Sequence, residues 1–198
     1  MTGNRTIRYS AVAIFITAAV VYVLISLVNH ALFRTYALDL GFYTHIMYDY
    51  AHFRIDDFFM FDRASLNVLS DHFDLYLMLL SPLVYVFGSY TLLIVQIAAV
   101  LLGGLGVFKL MGLYTEDEWI PLLATTAFFC SFGIIHALSF DYHSNVVTAM
   151  MLPWLLYFLK QRRFSLATLF VFPLCDRQGK HVPVAVLYCH KPALGLST

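Results

Sequence analysis

The side chains able to do chemistry gather in one stretch of this chain. Ala31 to Asp74 holds seven of the twelve acidic residues (Asp39, Asp49, Asp56, Asp57, Asp62, Asp71 and Asp74), together with His45, His52 and His72. Carboxylates and imidazoles move protons near neutral pH and ligate divalent cations. When a hydrophobic chain confines them to one loop, that loop is the first place to look for catalysis or ligand binding.

Asp39 stands apart from the others. It lies in Leu38-Asp39-Leu40-Gly41, between apolar neighbours and before a glycine that permits a tight turn. Desolvation there favours the protonated carboxyl and makes a stronger base. A helix N-cap for the following segment is the equal alternative. From Phe42 to Phe59 the pattern predicts a helix. His45, Asp49, His52 and Asp56 are spaced four, three and four and share one face, while Phe42, Ile46, Tyr50 and Phe53 form a flanking apolar face. Such a helix suits a membrane interface. Its His/Asp face fits either a divalent cation or a wetted face of i,i+4 ion pairs. Two further acid/His strings, Asp71-His72 and Asp141-Tyr142-His143, can converge on one pocket if they share a side of the bilayer.

The elements that must position these groups are apolar helices. The chain is 61% hydrophobic, only 12% charged, and has a mean hydropathy of +0.76. Soluble domains carry roughly 25% charged residues, so this is an integral membrane protein. A net charge of zero removes a nucleic-acid partner. Cys130 lies inside an apolar run and reads as a small packing residue. Cys175 and Cys189, near His181 and His190, lack zinc-site spacing.

About twenty helical residues cross a bilayer core. Spans are expected over residues 9–28, 90–108, 120–138 and 145–159, with Pro153 kinking the last and another beginning at 164–172. Residues 9–28 are long enough for a retained anchor rather than a cleaved signal peptide. The apolar run 75–87, punctuated by Pro82 and Gly88, is too short to cross and reads as an interfacial or re-entrant helix. Gln96, inside a span, needs a partner on another helix, and Gly103, Gly104 and Gly106 admit a closely packed neighbour. If 75–87 does not cross, then Arg5 and Arg8, Lys109, and Lys160 with Arg162 and Arg163 all fall on one side. By the positive-inside rule that side is cytoplasmic, with the N-terminus on it. The loop 31–74 and Asp141–His143 then share the outer face.

Several strings look familiar together. Leu38-Asp39-Leu40-Gly41-Phe42-Tyr43-Thr44-His45, Leu69-Ser70-Asp71-His72-Phe73, Leu79-Leu80-Ser81-Pro82-Leu83-Val84-Tyr85, Leu92-Leu93-Ile94-Val95-Gln96 and Phe140-Asp141-Tyr142-His143 resemble, in order and spacing, the prokaryotic membrane-protein family DUF2079. The resemblance covers about residues 10–172. His45 stands where Gln is expected, and Asp74 where Pro is usual. That family looks related to the GT-C superfamily of polytopic glycosyltransferases. The resemblance implies a polyprenyl-phosphate-linked sugar donor and an extracytoplasmic site, with an acid just past the first span as base or site organiser. In this sequence that acid is Asp39. The leaving phosphate needs a cation: Arg34, Arg54, Arg63 or a metal.

From Pro173 the character changes, and residues 173–198 form an atypical tail. A frameshift or truncation near codon 173 is the expectation, which would make the chain an inactive fragment. The reading is therefore an all-α polytopic membrane protein. Residues 1–172 form a GT-C-like N-terminal part with amphipathic and re-entrant helices in its first outer loop. Asp39 is the expected catalytic residue, and His72, Asp141, His143 and Arg34 the expected substrate-binding ones. A divalent cation is the possible cofactor, and the bilayer and a polyprenyl-phosphate sugar are the partners. The rivals are a transporter or structural subunit, and a decayed gene product. A transporter would place ionisable groups at the bilayer midplane, where these spans have almost none.

Overall fold

A computed structural model describes residues 5–35, 37–54 and 75–176. These are helical, with no strand among them. Three helical stretches are long and apolar enough to cross a membrane: Arg5–Ala31, Tyr76–Met111 and Trp119–Phe140.

The chain order is α1 (Arg5–Ala31), α2 (Ala37–Ala51), α3 (Leu75–Leu80), a 3-10 turn (Ser81–Leu83), α4 (Val84–Phe87), a second 3-10 turn (Gly88–Tyr90) and α5 (Thr91–Met111). Then follow α6 (Trp119–Phe129), α7 (Phe132–Phe140), α8 (Ser144–Ala149), α9 (Leu152–Lys160) and α10 (Phe164–Asp176). The hub is α5, which packs on α1, α2, α6, α7, α8 and α9. Its glycines explain how so many neighbours fit. A Cβ on Gly103 would lie 2.8 Å from Met150 Sδ, one on Gly104 would run into the Phe129 ring, and one on Gly106 would lie 3.0 Å from Pro153 and the Trp154 ring. The indole of Trp154 also donates to the Leu102 carbonyl at 2.8 Å, fixing α9 along α5.

The contacts define the two ends of the bundle. At one end His30, in the last turn of α1, binds Ser89 Oγ at 3.0 Å and meets the Tyr90 ring edge-on, so α1 and α5 run antiparallel. At the other end Lys160 Nζ sits 4.4 Å above the Tyr114 ring, beyond the end of α5. Lys109, Lys160, Arg162 and Arg163 therefore share one end, and Asp39 and Asp141–His143 lie toward the other. Both ends of the 75–90 stretch meet the His30 end. The Tyr76 hydroxyl bonds that of Tyr142, and Ser89 bonds His30. Gly88, at φ +55°, makes the break before α5, a conformation that glycine adopts without strain.

Other breaks have local causes. Between α6 and α7 the chain is extended at Ser131, which frees carbonyls deep in an apolar stretch. The Tyr22 hydroxyl donates to one of them, Phe129 O, at 2.8 Å. Cys130, at this break, is exposed rather than packed. The expected kink in 145–159 is a full interruption at Met150 and Met151. Pro153 opens the first turn of α9, where its missing N–H costs nothing.

The helix expected over 42–59 begins earlier, at Ala37, and stops at Ala51. Its end is a Schellman cap: Arg54 N–H donates to Asp49 O at 2.9 Å and Phe53 N–H to Tyr50 O at 3.1 Å. Phe53 takes the left-handed position, at φ +56°. Leu40, Tyr43, Ile46, Met47 and Tyr50 of α2 are buried and pack on α3, α4 and α5, so this apolar face meets protein.

Substituting Gly104→Leu should destabilise the fold by about 1–3 kcal/mol, because the Phe129 ring has no room to retreat. Gly41→Ala meets nothing within 4 Å in mid-helix. It should stabilise by about 0.5–1 kcal/mol. Thermal unfolding in detergent measures both, and the two shifts should have opposite signs.

Candidate functional site

The α2 N-terminus and the loop between α7 and α8 come together at the His30 end. Asp39 lies in the first turn of α2, half-buried, where a carboxylate complements the helix dipole. The N-cap alternative fails because the helix begins two residues before Asp39. Nor does Gly41 make a tight turn; it is an ordinary helical residue.

Opposite Asp39 is Asp141, which is 1% exposed. Its Oδ1 accepts from the Tyr142 N–H at 2.8 Å. Its Oδ2 is buried with no hydrogen-bond partner. Burial pushes the Asp141 carboxyl above the usual carboxylate range, and the neighbouring Asp39 charge pushes the same way. The Tyr142 and Leu40 backbone N–H groups and His143 pull against that shift without cancelling it. Sequence reasoning placed the two acids on one face. It did not foresee that one would be buried and the other half-open.

The loop is held from below by α5. Gln96 is fully buried; its Nε2 donates to the Asp141 carbonyl at 3.0 Å, and its Oε1 accepts from the His143 N–H at 2.6 Å. The expected partner of Gln96 was a helix, and the structure gives it the backbone of a loop. Aromatic rings wall the site. Tyr142 meets Tyr43 edge-on at 5.2 Å between centroids, the Tyr43 hydroxyl bonds Ser144 Oγ at 3.3 Å, and His143 stacks on Phe140 at 5.3 Å. Tyr43 and Tyr142 carried no signal beyond being aromatic in the sequence, since only the fold brings them together.

The other expected site residues are distributed differently. Arg34 is exposed in the Schellman turn that ends α1, where its N–H donates to Asn29 O at 2.9 Å. His72 lies outside the described residues, as do Arg63 and Asp56. His45 and Asp49 form the expected i,i+4 pair at 3.1 Å. His52 does not join them. It lies past the helix end, with Nδ1 at 2.8 Å from the Tyr48 carbonyl and Nε2 at 3.4 Å from the Tyr85 hydroxyl. Among the described residues no three His, Cys, Asp or Glu side chains are grouped to hold a metal ion.

A raised carboxyl pKa fixes the sign of a pH effect. The folded state holds the Asp141 proton more tightly than the unfolded chain. The contribution is fully present below the ordinary carboxylate pKa and is lost as pH climbs through the raised value. Asp141→Asn cannot ionise. Its melting temperature relative to the parent should therefore rise as pH increases from about 4 to about 7. A difference that is flat or falls with pH would contradict the buried-carboxyl assignment.

No curated protein and no solved structure matches the chain. A family model described as a predicted membrane protein, DUF2079, matches residues 29–189. The matched region includes Asp39, Gln96 and Asp141–His143, and it continues past Pro173, where the sequence suggests a change of frame. More than half of the chain lies within the match, and so the chain belongs to this family of predicted membrane proteins.

Proposed function

We propose that this chain is part of a GT-C-type membrane glycosyltransferase that takes its sugar from a polyprenyl-phosphate donor on the extracytoplasmic face. The observation that supports this most is the unequal carboxyl pair. Asp141 is buried and biased toward its neutral form, while Asp39 is half-open on a helix N-terminus. A buried carboxyl beside a half-open one makes a division of labour. In this reading Asp39 accepts the proton of the acceptor hydroxyl. The acceptor oxygen forms its bond to the anomeric carbon as the bond from that carbon to the phosphate oxygen breaks. Polyprenyl phosphate leaves with the electron pair. A cation must meet that phosphate, and Arg34, exposed at the same end, is available; His72 and His143 are the remaining substrate-binding candidates. A divalent cation could serve in its place. The aromatic walls offer apolar faces to a sugar ring.

The same reading puts the N-terminus in the cytoplasm, with Arg5, Arg8, Lys109, Lys160, Arg162 and Arg163 on the inner side. The 75–87 segment dips into the outer leaflet and returns. Support comes from the contacts of Tyr76 and Ser89, at its two ends, with the same end of the bundle. The inactive-fragment reading gains nothing from a family match that runs to residue 189. Translating the coding DNA in the other frames decides it: an apolar continuation in one frame supports a frame change, and none removes it.

Transfer of labelled sugar from polyprenyl-monophosphate donors, assayed in membranes holding the full chain, tests the activity. Asp39→Asn should lower turnover by about a hundredfold or more, the usual contribution of a general base. Equal turnover would remove Asp39 from catalysis. Topology is tested by membrane-impermeant maleimide on Asn67→Cys, Asn145→Cys and Glu116→Cys in a background without the natural cysteines. The first two should label from outside and the third only after permeabilisation. Labelling of positions 67 and 145 from opposite sides rejects the dip.

A further inference from the structure

We infer that Gln96 is a positioning residue: its amide clamps the Asp141–His143 backbone so that the Asp141 carboxyl faces Asp39. The inference rests on the glycosyltransferase reading for its functional meaning, but its geometry stands alone.

The loop needs such a clamp. Its backbone is extended at both ends, with Asp141 at φ −176°, ψ −161° and His143 at φ −131°, ψ 114°. Asp141 ends α7, so its carbonyl has no continuing helix to accept from. His143 caps α8, so its N–H has no preceding turn to donate to. One acceptor and one donor, two residues apart, are thus left over in an apolar surrounding, where an unmatched group is costly. Gln96 meets both with the two ends of one planar amide, at 3.0 and 2.6 Å. A carboxylate at position 96 offers no donor to the Asp141 carbonyl. A leucine offers neither group. Asparagine is one methylene too short to reach.

The consequence runs through the loop to the acid pair. With its carbonyl drawn to α5, Asp141 turns its carboxyl toward the start of α2, where the Leu40 N–H and Asp39 lie. The two hydrogen bonds of Gln96 go to backbone atoms of Asp141 and His143. Gln96 determines where the Asp141 carboxyl sits.

Ser144, beside the loop, is 1% exposed and serves as the reporter. The full chain in membranes carries Ser144→Cys, again without its natural cysteines. Maleimide labelling is normalised at each pH to that of the exposed Asn145→Cys. With Gln96 intact, Ser144→Cys should label slowly. Gln96→Leu should speed it by about tenfold or more. Gln96→Glu should stay near the parent at about pH 5, where its buried carboxyl is protonated and keeps the donor, and should approach Gln96→Leu at about pH 9, once pH has climbed past a carboxyl pKa raised by burial. If Gln96→Leu fails to fold, with Ala18→Cys also becoming reactive, the pH reversal in Gln96→Glu decides alone. Protection unchanged in a folded Gln96→Leu or, where that variant does not fold, in Gln96→Glu at both pH values overturns the clamp.

Sugar transfer by the same variants separates the two readings. Turnover that falls in Gln96→Glu at the higher pH, with KM little changed and recovery at the lower pH, supports positioning. Turnover that ignores the pH reversal while labelling follows it overturns positioning and leaves the glycosyltransferase reading in place. No transfer by the parent, with labelling as expected, removes the glycosyltransferase reading and leaves the clamp.

Discussion

A primary amide buried in an apolar helix must find both a donor and an acceptor, and much of this structure follows from how Gln96 does so. Water is not available in the bilayer to satisfy it, and each unmet group there is costly. The partners it finds are the two backbone groups left over where α7 stops and α8 begins. That one contact ties the third membrane-crossing stretch to the second. It also places the Asp141 loop beside the first turn of α2, and it lets the chain reverse direction without stranding polar backbone.

The close packing around α5 rests on a different kind of constraint. Gly103, Gly104 and Gly106 remove side-chain bulk where Met150, Phe129, Pro153 and Trp154 press against the helix. Lipid tails and side chains are equally apolar, so helices in a membrane gain little by leaving lipid; they gain by fitting closely. The interruption at Cys130 and Ser131 is tolerated for the same reason that Gln96 is. Tyr22 supplies a hydroxyl to the freed Phe129 carbonyl, and its ring meets Phe129 edge-on at 6.1 Å. At these two breaks a neighbouring helix brings the polar partner.

The two ends of the bundle carry different side chains. Asp39 and Asp141 lie toward one end, with Arg34 exposed there, while Lys109, Lys160, Arg162 and Arg163 lie toward the other, together with Glu116, Asp117 and Glu118. At the Asp39 end, burial makes two like residues unlike. Asp141 is enclosed by Tyr142, Gln96 and the start of α2, while Asp39 keeps part of its surface open. A pair of carboxyls on a uniformly wet surface would have no such difference, and acid–base work depends on having one.

Much of this was legible in the sequence, for reasons that are local. Long apolar runs dictate helices in a membrane because no other unpartnered backbone is tolerated there, and the three glycines announce a close neighbour. The i,i+4 spacing of His45 and Asp49 fixes their pairing. The end of α2 was not legible. Its cap uses Phe53 in the left-handed position rather than a glycine, as Phe33 does for α1 and Arg162 for α9, so no residue type marks the stop. Nor were the separation of His52 from His45, the exposure of Cys130, or the loop partner of Gln96. The sequence by itself determined the helical membrane class and the need for a partner at position 96. Only the tertiary structure decided which carboxyl is buried and what Gln96 holds, because burial and hydrogen-bond pairing between residues far apart in the chain exist only once the helices have packed.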